Sequence, residues 1–321
     1  MHKSNKKVDF KRAAYRAISK STLNLKKDYK LERKLKELKS PGPMMMKIFE
    51  KWNYEVFDGE REILTRVFKN KDEEQNTIVY FHGGGWATET IDSYNSTCMF
   101  LAKHTNSLVI SVEYRLAPEN PFPAGLEDCY CVAKFAYEKH QEGLLPGKFV
   151  LMGDSAGGNL AAAVSLMARD KGEFFPEYQI LLYPAVNWDY SENSPFPSVH
   201  ENGEDYILTR KRINDYMSLY RSGEEDNNNP YFAPLVAKDF SNQPKTMVIV
   251  AEFDPLRDEG TAYAQKLREA GNLVKYYRMK DALHGFISLG PLNQHVQKTY
   301  KLVNVFLNDY EREVQCIKDK L

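Results

Sequence analysis

The chain has 321 residues, 42% of them apolar, with 44 basic and 44 acidic side chains and a formal net charge of zero. That length can bury a large single core. Low mean hydropathy and the absence of any apolar run near ~18 residues argue against a membrane-spanning helix, and four scattered cysteines (98, 129, 131 and 316) suit a reducing compartment better than a disulfide framework.

The zero charge conceals an asymmetry. Residues 1–40 carry fourteen Lys or Arg against four Asp or Glu, so the remainder is correspondingly acidic. The basic start has no apolar h-region and is not a secretory signal, which makes the cytoplasm the default location. Leu23, Leu31, Leu35 and Leu38 among these lysines leave two readings, a membrane-surface or nucleic-acid arm and a helix tucked onto the acidic body. No aromatic interleaving or nucleic-acid motif supports the arm. Met44-Met45-Met46 is either adaptable pocket lining or plain packing.

Residues 77–81 form an apolar run that reads as a buried strand and empties into His82-Gly83-Gly84-Gly85-Trp86. Three consecutive glycines let backbone N–H groups approach a ligand without side chains in the way, as a developing oxyanion requires. The pattern fits neither phosphate-loop nor dinucleotide-binding spacing. Further on, Phe149-Val150-Leu151-Met152 reads as a second buried strand, followed by Gly153-Asp154-Ser155-Ala156-Gly157 and an Ala-rich helix. A serine on a sharp strand-to-helix turn needs small neighbours, and this context makes Ser155 the candidate nucleophile. The N–H of Ala156 would complete an oxyanion hole with Gly83, Gly84 or Gly85.

Four blocks together resemble the signatures of the hormone-sensitive-lipase-like α/β-hydrolases: residues 82–86, Glu113-Tyr114-Arg115-Leu116-Ala117-Pro118-Glu119, residues 153–158, and Glu252-Phe253-Asp254-Pro255-Leu256-Arg257-Asp258-Glu259-Gly260. They fall in the family's order over about residues 55–310. Glu113 departs from the Asp more usual there. The resemblance implies an α/β fold with a mostly parallel central sheet flanked by helices. It also implies a helical cap built from the N-terminus and from an insertion after the sixth strand. The expected division is a first cap segment at 1–50, a catalytic domain at 51–186 and 233–321, and a second cap segment at 187–232.

That second segment breaks the strand–helix alternation. Its helix is expected to start at Thr209, which can cap the run 210–220. Trp188, Tyr190, Tyr206, Tyr216, Tyr231 and Phe232 either line a pocket or form the segment's own small core. Beyond it, residues 246–251 read as a strand ending at Glu252-Phe253-Asp254. Asp254 can orient an imidazole, with Glu252 and Asp258 as rivals. Pro255 and the acidic pair Asp258-Glu259 read as a helix start, which gives Asp258 a dipole role; the resemblance favours Asp254.

Of the seven histidines, only His200, His284 and His295 follow Ser155, the order this chemistry takes in such folds. His200 lies in the Pro- and Asn-rich stretch and His295 starts the last helical segment. His284 sits in a loop just past a probable strand at 274–279, and the resemblance implies the same residue.

The expected chemistry is therefore two-step acyl transfer with Ser155 as nucleophile, His284 as base and Asp254 as orienting acid, and the resemblance implies a carboxylesterase for short-chain acyl esters, acetyl esters included. Alternatives are an amidase, peptidase or acyltransferase on the same residues, or a non-catalytic ligand-binding member of the fold. Cysteine and histidine spacings suggest no metal site, and no cofactor is expected. A small-molecule ester is the expected partner, without nucleic acid or membrane, and a homodimer is left open.

Overall fold

The computed structural model describes residues 25–37, 50–59, 61–70 and 74–318. Its frame is an eight-stranded sheet ordered β1-β2-β4-β3-β5-β6-β7-β8. The strands are β1 (Glu50–Asp58), β2 (Arg61–Lys69), β3 (Asn76–Phe81), β4 (Ser107–Val112), β5 (Lys148–Asp154), β6 (Tyr178–Leu182), β7 (Lys245–Phe253) and β8 (Val274–Leu283). Only β2 runs antiparallel to its neighbours β1 and β4; all later pairs are parallel. The mostly parallel α/β sheet expected from the sequence is thus borne out.

The central strands are mostly apolar because both faces are covered. Every residue of β3, β4 and β6 is buried. On one face lie α3 (Ala124–Gln141), α4 (Ala156–Lys171) and α7 (Arg257–Glu269), packing Leu126, Leu160, Val164 and Tyr263 against Val79, Leu151 and Val248. On the other lie α2 (Asn95–Thr105) and α8 (Gln294–Lys318), packing Met99, Leu101, Val303 and Leu307 with Ile78, Val150 and Ile249. Each fully buried Leu, Val or Ile contributes roughly 1.5–3 kcal/mol against solvent exposure.

Strand order places the chemistry. From β3 the chain steps out to β4, then crosses back to β5 on the other side of β3. This reversal falls at the carboxyl ends of β3 and β5, the usual ligand position in open α/β sheets. Phe81 pairs with Gly153 there, so the loop at 82–86 and the turn at Ser155 leave the sheet side by side.

Two further helices lie between β6 and β7, α5 (Pro197–Asn202) and α6 (Arg210–Tyr220). The expected cap is present, with Thr209 extended and its side chain accepting from Arg212 N. Helix α1 (Leu25–Glu37) packs against α6. The aromatics of the insertion divide between its core and its seat on the body: Tyr190, Tyr206, Tyr216 and Phe232 are buried, whereas Trp188 and Tyr231 are half-buried. Leu31 on α1 is exposed. Leu23, Leu38, Met44, Met45 and Met46 lie outside the described residues. Among the described residues no helix is long and apolar enough to cross a membrane.

Replacing Thr209 by Ala should lower unfolding free energy by about 1 kcal/mol through loss of the α6 cap, and Thr209→Ser should retain most of it. Equal losses in both variants on denaturant unfolding would show that the hydroxyl is not the stabilising group.

Candidate active site

β5 ends at Asp154 and α4 begins at Ala156, so the whole turn is made at Ser155. Its backbone sits at φ 56°, ψ −120°, a sparsely populated conformation for a residue with a side chain. Crowding around it dictates the two glycines. A Cβ on Gly157 would lie 1.9 Å from the carbonyl oxygen of Phe81, and one on Gly153 would lie 2.2 Å from that of Gly157. Backbone bonds hold the strain in place: Ser155 N donates to Leu182 O (2.9 Å), and Ser155 O accepts from Asn159 N (3.0 Å) and Ala185 N (3.2 Å).

Strand β8 runs to Leu283, further than the run 274–279 suggested, and His284 is the first residue beyond it. Its Nε2 is 2.9 Å from Ser155 Oγ and its Nδ1 is 2.7 Å from Asp254 Oδ2. With Nδ1–H donating to the carboxylate, Nε2 is left as the acceptor for the serine hydroxyl. Tyr183 meets the imidazole edge-on at 4.9 Å.

Asp254 lies just past β7 and is fully buried. Its second carboxylate oxygen accepts from Leu256 N (2.9 Å), and Asn202 donates to its carbonyl (3.2 Å). The rival acids are held elsewhere. Glu252 accepts from Arg278 and Asp281 N, and Asp258 accepts from Ser198 N and Arg257. The other late histidines stand apart from Ser155: His200 bonds Ser194 O, and His295 packs its ring near Phe286.

The glycine loop separates into an anchor and free donors. Gly83 N donates to Asp154 Oδ1 (3.0 Å), so this amide is already engaged. Among the described residues, the N–H groups of Gly84, Gly85 and Ala156 have no protein acceptor. Ala156 opens α4, where unpaired amides and the helix dipole favour negative charge. Gly84 (φ 108°) and Gly85 (φ 62°) occupy the left-handed half of the map. His82 is buried, stacks on Tyr114 at 4.3 Å and donates through Nδ1 to Gly83 O. Burial pushes its pKa down to about 4, which keeps the ring neutral.

Asp154 was not singled out in the sequence. It is almost fully buried and accepts from the hydroxyls of Tyr80 (2.9 Å), Tyr94 (3.0 Å) and Tyr183 (3.3 Å) as well as from Gly83 N. These tyrosines lie on separate elements, and no sequence spacing announces them. One carboxyl therefore links the strand that leads to Ser155, the glycine loop and the ring that packs on His284. Burial lifts its pKa from 3.8 to about 6, outweighing the four hydrogen bonds. Glu259 is a second buried acid, lifted to about 8 by burial. It accepts from Val186 N, Asn187 N and Tyr190 and so ties the root of the insertion to α7.

A family model described as alpha/beta hydrolase fold matches residues 78–288. Among curated relatives, the carboxylic ester hydrolase LipN of Mycobacterium tuberculosis is 38% identical over 219 residues, covering 66% of this chain and 57% of the relative, so the match spans less than two thirds of that protein. The carboxylesterase NlhH of the same species is 33% identical over 261 residues, covering 79% of this chain and 81% of the relative. A solved Pyrobaculum calidifontis esterase superposes with a TM-score of 0.81 at 35% identity, over 91% of this chain and 96% of that one. The resemblance to hormone-sensitive-lipase-like hydrolases is borne out by these matches.

Because the folded chain holds the Asp154 proton more tightly than the unfolded one, Asp154 stabilises most at low pH. The stability of wild type relative to Asp154→Asn should fall as pH rises from about 4 to about 6 and level off above. Denaturant unfolding of both proteins across that range measures it; a flat difference would mean that Asp154 does not titrate in this window.

Proposed function

We propose that this chain, which belongs to the α/β-hydrolase fold family, is a serine carboxylesterase acting on short-chain acyl esters. The observation that carries the reading is the hydrogen-bonded line from Ser155 Oγ through His284 to buried Asp254, set beside amides with no protein acceptor among the described residues. Relatives named as ester hydrolases support the same class.

In this proposal His284 Nε2 removes the proton of Ser155 as the oxygen attacks the ester carbonyl. Asp254 keeps Nδ1 protonated and stabilises the imidazolium. Gly84, Gly85 and Ala156 donate to the oxyanion, each amide contributing about 3 kcal/mol of barrier reduction, while Gly83 anchors the loop on Asp154. The alcohol departs with the proton from His284, and water then hydrolyses the acyl-enzyme by the same route in reverse. In the proposed division, 1–50, of which α1 is the described part below Glu50, and 187–232 are the cap segments of a catalytic body at 51–186 and 233–321; residues 1–24 and 38–49 lie outside the described residues. Acetyl esters are the proposed favourites.

The test is hydrolysis of p-nitrophenyl acetate, butyrate, octanoate and palmitate by wild type and Ser155→Ala. Activity should peak at acetate or butyrate and vanish in the variant. Turnover of anilides without ester turnover would point to an amidase, and turnover surviving in Ser155→Ala would remove the nucleophile assignment. Asp254→Asn should cut kcat by about 10⁴-fold, whereas Asp258→Asn should leave it nearly intact; the reverse outcome would transfer the acid role to Asp258.

A further inference from the structure

A set of mutually paired charges lies outside the catalytic line, where α1 and α6 meet the glycine loop. Glu32 on α1 is nearly buried and pairs with Arg212 of α6, and both contact the hydroxyl of Tyr216. One turn on from Glu32, Lys36 Nζ is 3.5 Å from Glu32, 2.6 Å from Glu89 and 2.9 Å from Thr88 Oγ1. Burial works against the charge of Lys36, but its neighbours Tyr216, Glu89 and Glu32 outweigh burial and raise its pKa, so the ammonium is retained.

These contacts end on the loop that carries the free amides. The Thr88 hydroxyl that accepts from Lys36 donates to Gly84 O (2.8 Å), and Thr88 N bonds the same oxygen (2.9 Å). Glu89 holds φ 70° and Trp86 φ 56°, conformations that side-chain-bearing residues keep only when neighbours enforce them. Tyr216 covers Gly85 so closely that a Cβ there would lie 2.2 Å from its ring. At the loop's far end Arg33 donates to Ala87 O and Ala117 O, both at 2.7 Å, and pairs with Glu119.

We infer that Glu32, Lys36, Glu89 and Arg212 are positioning residues that make the oxyanion amides of Gly84 and Gly85 depend on the seating of α1 and α6. The inference rests on the esterase reading for its catalytic consequence, though not for the mechanical one. The physical reason is leverage. The sheet holds the loop at Gly83, through Asp154; at its outer side Lys36, Arg33 and Tyr216 reach it from helices outside the sheet's strand–helix order, alongside the bonds of Trp86 to Ala117 N and Asn159. Amides at 84 and 85 stand between the two anchors. Removing one charge of a half-buried pair leaves its partner less well satisfied, so the outer anchor loosens without any change in the strands below.

The experiment compares wild type, Lys36→Met, Glu89→Gln, the double variant, and Glu32→Gln as a second break in the cluster should Lys36→Met fail to fold. Three quantities are read: kcat and KM for p-nitrophenyl acetate, affinity for phenylboronic acid as a tetrahedral mimic, and amide hydrogen exchange. Each single variant should lower kcat by about tenfold with KM nearly unchanged, because the lost hydrogen bonds form fully only in the transition state. Boronate affinity should fall by a similar factor, exchange should quicken over residues 84–89 and not in β3 or β5, and the double variant should be milder than the sum of the singles. Unchanged kcat with unchanged exchange would overturn the inference, as would exchange that quickens throughout the sheet or a loss confined to KM. If wild type shows no Ser155-dependent turnover, the esterase reading fails by itself, and exchange over 84–89 still decides whether the cluster holds the loop.

Discussion

The constraint on which the site depends is the approach of the first turn of α4 to the carbonyl end of β3. Gly157 lies against Phe81 O with no room for a Cβ, and that contact sets how the turn at Ser155 must bend. The serine backbone takes up the strain at φ 56°, and its side chain emerges above the sheet where His284 can reach it. The same contact brings Ala156 and the glycine loop to one side of the hydroxyl. The candidate nucleophile and the candidate oxyanion donors are thus placed by one packing event between neighbouring parallel strands.

Buried carboxyls then fix what the backbone leaves free. Asp254 orients the imidazole, Asp154 joins the glycine loop to three tyrosines, and Glu259 holds the root of the insertion. Each accepts several hydrogen bonds, as a buried acid must. Asp154 and Glu259 still have pKa values raised by burial, so the fold gives up some stability at neutral pH to keep these acceptors inside. Such placement is economical at a site, because one carboxylate can accept four donors from four separate elements.

Much of this was legible from local strings. The runs 77–81, 149–152 and 246–251 appear as β3, β5 and β7, since a strand buried on both faces is an unbroken apolar segment. The cap at Thr209 was readable because an N-cap needs only its own first turn. The hairpin β1–β2 was not anticipated, as Glu50–Asp58 and Arg61–Lys69 are interrupted by charges every few residues. Strand β8 outran its apolar part because its pairing with β7, through an irregularity between Ala251 and Phe253, continues past the polar residues at 280 and 281.

The sequence by itself determined the α/β class, the turn at Ser155 and the candidates Ser155 and His284, because each is written within a few residues of a strand end; Asp254 stood out from its neighbours Glu252 and Asp258 only through the family resemblance. Only the tertiary structure decided that Gly83 N is engaged by Asp154, that Asp154 is shared by Tyr80, Tyr94 and Tyr183, that Lys36 donates to Thr88, and that Arg212 pairs with Glu32. Those partners stand 29 to 180 residues apart. A carboxylate or ammonium looks the same in sequence whether solvated or buried, and its role is set by which distant donors and acceptors the sheet order brings within ~3 Å.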